Sequence, residues 1–594
     1  MTASSSLRRL RPTIRRVLVL AAIGIAALPG PGAAQVGEPI QLLPRTTPGY
    51  ETPPPAAPES GVGTAEPAVP QGFEITPLDS IGTDYAGTLE PRDGGFGLDM
   101  WQGTDRIKVE RLLPALQATP SPVLAELTRR LLLSNAIAPA GRGSGKNLLP
   151  LRAGLLADMG LVEDAIALLR LVPADQRDPE SARLLTELSW RAGDADGACA
   201  VVQESLPRLP VDNFWQQAGI FCQLRAGQAD QAMLGLDLLR EQGETDEVFF
   251  TLADALAGGA PPDILELPVV TPLYLAMASA AGLPSPAIAI HEPPPLMLAL
   301  IAERSDAALE RRLAAAETAS AAGVLSSQHL AAAYMAEPED SGRLDSALDL
   351  PDIGATPATR AILYQAATRA SQPEQRARLV QKALDADVLD PHYWARLRLY
   401  LPLLADIPAM PDLAWFAEDA ARHLFAGGRL IEAQAWVAAL QQVAQADPET
   451  AAALPKLRAL DYLAEEDLAQ TEAVAAVLDG LTPADPRSER LRALFAAFDQ
   501  AREPASGDLQ VLSATLPAPA MPRQNVNLWL DLGDAAAKQR VGETVLLTLA
   551  GLNETGLAGA EPEWLSRSIS SLRDVGLAHE ARRLAIEAAI VNGL

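Results

Sequence analysis

The chain reads as an all-α protein, a curved α-solenoid of antiparallel helix hairpins that follows a disordered N-terminal region. Three observations predict this. Hydrophobic residues make up 48% of the 594-residue chain but aromatics only 4%, and the Ala and Leu that fill the gap lose least when a helix forms. No window alternates apolar and polar residues between hairpin turns, as strands would. Finally, a short echo recurs as Gly160-Leu-Val-Glu-Asp-Ala165, Gly193-Asp-Ala-Asp-Gly-Ala198 and Gly227-Gln-Ala-Asp-Gln-Ala232, with glycines 33 and 34 residues apart, the period of stacked helix pairs.

Residues 1–34 have the form of an export signal. Arg8, Arg9, Arg11, Arg15 and Arg16 precede an apolar run from Val17 to Leu28, and small residues, Gly32-Ala33-Ala34, offer a cleavage site. The run is too short to span a bilayer, which needs about 20 apolar residues, so no stable membrane span is expected once the signal is removed. Residues 35–97 follow as a Pro-rich disordered linker, because proline removes backbone donors and opposes helix.

From 98 to 594 helical punctuation takes over. Thr104 is placed to cap a helix carrying Ile107, Val109, Leu112, Leu113 and Leu116, and Ser121 to cap one with Leu124, Leu127, Leu131 and Leu132 on one face. Short turns then join successive helices, which makes neighbours antiparallel. Pro-rich breaks near 260–295, 337–357 and 503–523 interrupt the array. They are expected to bend a single superhelix, since each repeat of such an array touches only its neighbours.

Gly160, Gly193 and Gly227 fall where a first helix must end, and glycine enters the left-handed cap conformation without a Cβ clash. Ala165, Ala198 and Ala232 then lie in the first turn of a second helix, where a small side chain lets two helices cross closely; Gly428 with Ala433 and Gly576 with Ala581 repeat the pair. This pattern, closed by Pro210 after the second copy, resembles the tetratricopeptide repeat. Thr186 and Ile220 stand where that family usually has a small residue, and Ala182 and Gln216 replace its early Trp. The resemblance implies a right-handed superhelix that holds a peptide or protein in its concave face, and it implies no chemistry.

The candidate sites are correspondingly non-catalytic. Cys199 and Cys222 are the whole cysteine complement. In an antiparallel pair turning near Leu209 they come within about one helical turn of the same height, so an exported chain is expected to bridge them. The densest aromatic stretch, with Tyr393, Trp394, Trp415 and Trp436 interleaved with Arg398 and Arg422, is where a binding hot spot is expected. Gly141-Arg-Gly-Ser-Gly-Lys146 resembles a phosphate loop, but Ala140 and Asn147 break the pattern. Five scattered histidines offer no paired zinc-ligand spacing, so no metal, cofactor or catalytic residue is expected.

The formal charge of −27 becomes −32 when the five signal arginines are removed, a surface that repels nucleic acid and favours a cationic or neutral partner. The sequence therefore predicts a periplasmic, non-catalytic scaffold or adaptor binding a protein or peptide partner in the bacterial cell envelope. The rival is an enzyme or accessory factor acting on peptidoglycan. A Glu followed by Ser, the pair a lysozyme-like site would use, occurs at Glu204-Ser205, but on a repeat helix.

Overall fold

A computed structural model describes residues 83–594 apart from 261–270, 284–294, 305–306, 339–340, 351–355, 445–450, 466–470, 483–484, 501–520 and 554. The described residues all belong to one compact unit, Thr76–Leu594. The expected export signal, the linker up to residue 82 and much of the three Pro-rich breaks lie outside them. Among the described residues there are 27 α-helices, a few 3-10 turns and no strand.

The first helices are α1 (Arg106–Leu112) and α2 (Pro122–Leu133). Hairpins follow as α3 (Leu148–Asp158) with α4 (Val162–Arg170), α5 (Pro179–Arg191) with α6 (Ala195–Ser205), and α7 (Asn213–Arg225) with α8 (Ala229–Glu241). Aspartates start many of these helices: Asp178, Asp194, Asp212 and Asp246 each accept a backbone N–H of the first turn, which satisfies an orphan donor and places negative charge at the positive end of the helix dipole. α9 (Glu247–Leu256) continues the stack, and α10 (Pro272–Ala280), inside the first expected break, folds back onto α5.

The middle of the chain holds α11 (Pro295–Glu303), α12 (Leu309–Ala321), α13 (Ser327–Met335), the short α14 (Ser341–Asp345), α15 (Pro357–Arg369), α16 (Pro373–Leu384), α17 (Tyr393–Ala405), α18 (Ala417–Ala426) and α19 (Leu430–Ala444). The last third holds α20 (Leu454–Glu465), α21 (Thr471–Asp479), α22 (Pro486–Gln500), α23 (Val526–Ala537), α24 (Val541–Asn553), α25 (Gly556–Gly559), α26 (Pro562–Asp574) and α27 (Ala578–Val591). Helices adjacent in sequence pack in pairs throughout.

The repeated turn has the geometry its residues demand. Gly160, Gly193, Gly227, Gly428 and Gly576 have φ of 78°, 77°, 71°, 71° and 84°. In each case the next residue's N–H closes a 6→1 bond of 2.8–2.9 Å, from Leu161 to Leu156, Asp194 to Ser189, Gln228 to Gln223, Arg429 to Leu424 and Leu577 to Leu572, the Schellman cap. The five alanines that follow are fully buried.

Packing is not confined to neighbours. The apolar end of α27, Leu584 to Val591, is buried on every side, as a helix without a polar face must be, and it packs against α2, α18, α20 and α22. α24 packs against α1 and α2, and Gly542 donates its N–H to the Met100 carbonyl at 2.9 Å. The expected array with contacts between adjacent repeats alone is corrected: the last helices fold onto the first.

Three further expectations change. Residues 83–97 are not free linker: Arg152, buried, donates to the carbonyls of Asp84, Ala86, Leu132 and Ser134 at 2.7–3.1 Å and rivets this stretch to the end of α2. With no carboxylate bonded to it, burial pulls its pKa down to about 10 despite the attraction of Asp84. Thr104 does not cap α1, whose N-cap is Asp105 with no side-chain bond; Thr104 lies buried one residue before it. Ile107 is 66% exposed, whereas Val109, Leu112, Leu113 and Leu116 join the core.

Candidate partner-binding site

Cys199 on α6 and Cys222 on α7 lie at bonding distance, with S–S 2.02 Å and Cα–Cα 5.6 Å, inside the range a disulfide requires. The hairpin turn between α6 and α7 brings them level, as the helix heights predict.

The six residues expected to form a hot spot separate into core and surface. Tyr393, Trp394 and Trp436 are buried: Tyr393 bonds His423 Nδ1 at 2.9 Å, stacks edge-on with Trp394 at 5.2 Å, and Trp436 meets Phe416 at 5.6 Å. Burial and the nearby Arg422 charge press the His423 pKa down to about 3, so its ring is neutral. Arg398 donates to the carbonyls of Pro120 at 2.9 Å and Ser320 at 3.0 Å, tying α17 to the start of α2 and the end of α12. Trp415, 41% exposed beneath the Arg378 guanidinium, and Arg422, paired with Asp419 at 3.1 Å, offer surface. The set is a section through the core with two outward members.

A different cluster converges where α12, α13, α15 and α17 meet. A cleft of about 300 Å³ is lined by Glu317, Tyr334, Arg360, Asp390, His392 and Arg396, with Leu330 and Ala395 beside them. Glu317 accepts from Tyr334 Oη at 2.6 Å and is gripped by Arg360 through Nε at 2.7 Å and through Nη2. Asp390 accepts from Arg396 Nη2 at 2.6 Å and from the His392 N–H at 2.9 Å.

The ionisation states follow from these contacts. Burial favours the neutral form of both charged groups, yet the bonds from His392 and Arg396 hold the Asp390 carboxyl below its usual range, and Glu317 holds Arg360 above its own. Burial, with Glu317 next in weight, lifts the Tyr334 phenol well above its ordinary value. Both acids are thus matched to arginines, and the cleft presents oriented donors and acceptors around Leu330. Such an arrangement can recognise a polar group on a partner. The four lining elements span residues 317–396, and no single residue among them departs from ordinary helix composition, which is why sequence reading passed over them.

The glycine loop near Lys146 is occupied by the protein's own carboxylate. Ser144 donates its N–H to Glu110 Oε2 at 2.7 Å, and Arg106 bonds both Glu110 and the Lys146 carbonyl. Among the described residues no group of three or more His, Cys, Asp and Glu is placed to hold a metal ion, and no helix is long and apolar enough to cross a membrane. No family model, curated protein or solved structure matches the chain.

Proposed function

We propose that this protein is an exported, non-catalytic scaffold of the bacterial cell envelope, a curved array of tetratricopeptide-like hairpins that holds a protein or peptide partner. The observation that carries the reading is the five-fold use of one turn, with Gly at positive φ, a 6→1 bond and a buried Ala five residues on. That device stacks helix pairs and leaves long helix faces available for contact. The cleft around Arg360 and Arg396 supplies fixed polar groups where helices from four positions meet, the arrangement by which a pocket orients a partner's polar segment.

Crosslinking in living cells with a photoreactive residue at His392, followed by identification of the attached molecule, tests the reading. A discrete partner that is lost when Arg360→Ala and Arg396→Ala are combined supports it. Clearing of peptidoglycan by the purified chain in a zymogram would replace it with the enzymatic rival.

A further inference from the structure

We infer that the outward face of α8 is a docking surface for a basic amphipathic helix of a partner protein; the inference rests on the scaffold reading and adds the chemistry of what is held. α8 buries Ala232, Leu236 and Leu239, and it packs against α7. On its other side Met233, Leu234 and Leu238 are 40%, 64% and 48% exposed. Large apolar side chains grouped on one helix face mark an interaction site more often than scattered ones do.

The arrangement of that face selects its occupant. At about 100° per residue, Leu234 and Leu238 form one column a turn apart, Met233 forms another, and Asp230, Asp237 and Glu241 run between them. Asp237 shares Arg240 with Asp254, at 3.2 Å and 4.0 Å, while Asp230 and Glu241 make no ion pair with a described residue. The surroundings reinforce the sign: residues 161–256 contain seventeen Asp and Glu against seven Arg and no Lys, a formal charge of −10. A helix with a Lys or Arg column flanked by Leu would pair charge with charge and apolar ridge with apolar ridge, and an acidic helix would be repelled.

The platform is also stiff. The Cys199–Cys222 bridge ties α6 to α7, on which α8 rests, and α7 is anchored by buried Trp215 and Phe221. Beside α8 lies an open groove lined by Met233, Thr251, Asp254 and Ala257.

Fluorescence anisotropy of the purified full chain with a short Leu/Lys amphipathic helix, and with its Leu/Glu twin of the same apolar face, tests the inference at low and high salt. The Lys peptide should bind, more weakly as salt rises, and the Glu peptide should not. Leu234→Ser with Leu238→Ser should weaken binding by about tenfold or more, as should Asp237→Lys with Glu241→Lys, and the second variant should gain affinity for the Glu peptide. Equal binding of both peptides, or Lys-peptide affinity unchanged in both variants at unaltered helicity, would overturn the assignment. So would self-association of the wild type that disappears in the serine variant, since a second copy of this chain would then own the face. If the serine variant still captures the wild-type partner in cells, the scaffold reading stands and this surface falls. If wild type captures no discrete partner, the scaffold reading itself fails.

Discussion

Glu587 ionises against its surroundings. It lies fully buried on α27, accepting from Ser121 Oγ at 2.5 Å and from the Val123 N–H at 2.9 Å, so it caps the N-terminus of α2 from the opposite end of the chain. Burial lifts its pKa to about 7, although those two bonds and the charges of Arg583 and Arg398 pull the other way. The folded protein therefore holds this proton more tightly than the unfolded chain does. The stability this confers is complete below the unfolded value near 4.5 and is lost as pH rises through about 7. By pH 8 the loss amounts to about 3 kcal/mol. Glu587→Gln keeps an acceptor for Val123 and removes the charge, so urea midpoints of wild type should fall between pH 5 and 8 while those of the variant stay level. Parallel profiles would show that the carboxylate is not the titrating group. Single side chains of this kind were the least legible part of the sequence. A glutamate in an Ala-rich helix reads as surface, and Ser121 reads as the cap of its own helix, which it is, through Leu124 at 3.3 Å. Nothing local to either residue announces a partner 466 positions away.

At the level of elements the sequence was far more transparent, because a helix end is decided by residues next to it. The Gly-to-Ala spacing picked out five turns correctly, and the caps at Ser121, Asp178 and Asp212 follow the same local chemistry. Gly243 and Gly323 form the same 6→1 turn but have Val248 and Gln328 where the Ala would stand, so the spacing missed them. Identical turns are not equally tolerant of change. Gly193→Ala meets no atom within 4 Å and suffers mainly the left-handed conformation, about 1 kcal/mol. A Cβ at Gly160 would run into the backbone carbonyl of Val324, which cannot move aside as a side-chain tip could. Gly160→Ala should therefore lose at least twice the stability of Gly193→Ala in urea unfolding, and equal losses would mean that the Gly160 turn does not lie against Val324. The α6–α7 hairpin has its own test. Replacing Cys199 and Cys222 with Ser opens a bridge of sequence separation 23, and about 3 kcal/mol should be lost. Hydrogen exchange should rise first in α6 and α7, the helices the bridge joins; unchanged exchange there would mean the thiols are not bonded in the folded protein.

For the whole molecule, the contacts of α27 set the expected cooperativity. In an open array the loss of a terminal helix frays one repeat and leaves the far end untouched, because stability is a sum of neighbour terms. Here α27 touches α2, α18, α20 and α22, Arg130 of α2 pairs with Glu580, Lys108 of α1 reaches Glu543 at 2.6 Å, and Asn553 bonds the Gln117 carbonyl at 3.1 Å. Periodicity in the sequence could not reveal this, since each helix pair encodes its own turn and says nothing about which distant helix will cover its last apolar face. The same limit explains the aromatic set: Trp394 and Trp436 sit on α17 and α19, and whether each helix face meets a partner or the protein's own neighbours is decided by packing elsewhere in the chain. A chain ending at Leu577 removes α27 and exposes the faces of α2, α18, α20 and α22 that pack on it, besides those of its sequence neighbours α25 and α26. Amide exchange across Pro122–Leu133 should then rise by orders of magnitude, together with exchange in α18 and α20, although α2 lies more than four hundred residues from the cut. If protection of α2 survives while α26 alone frays, the two ends of the helical unit are energetically separate and the contact between them contributes little to folding.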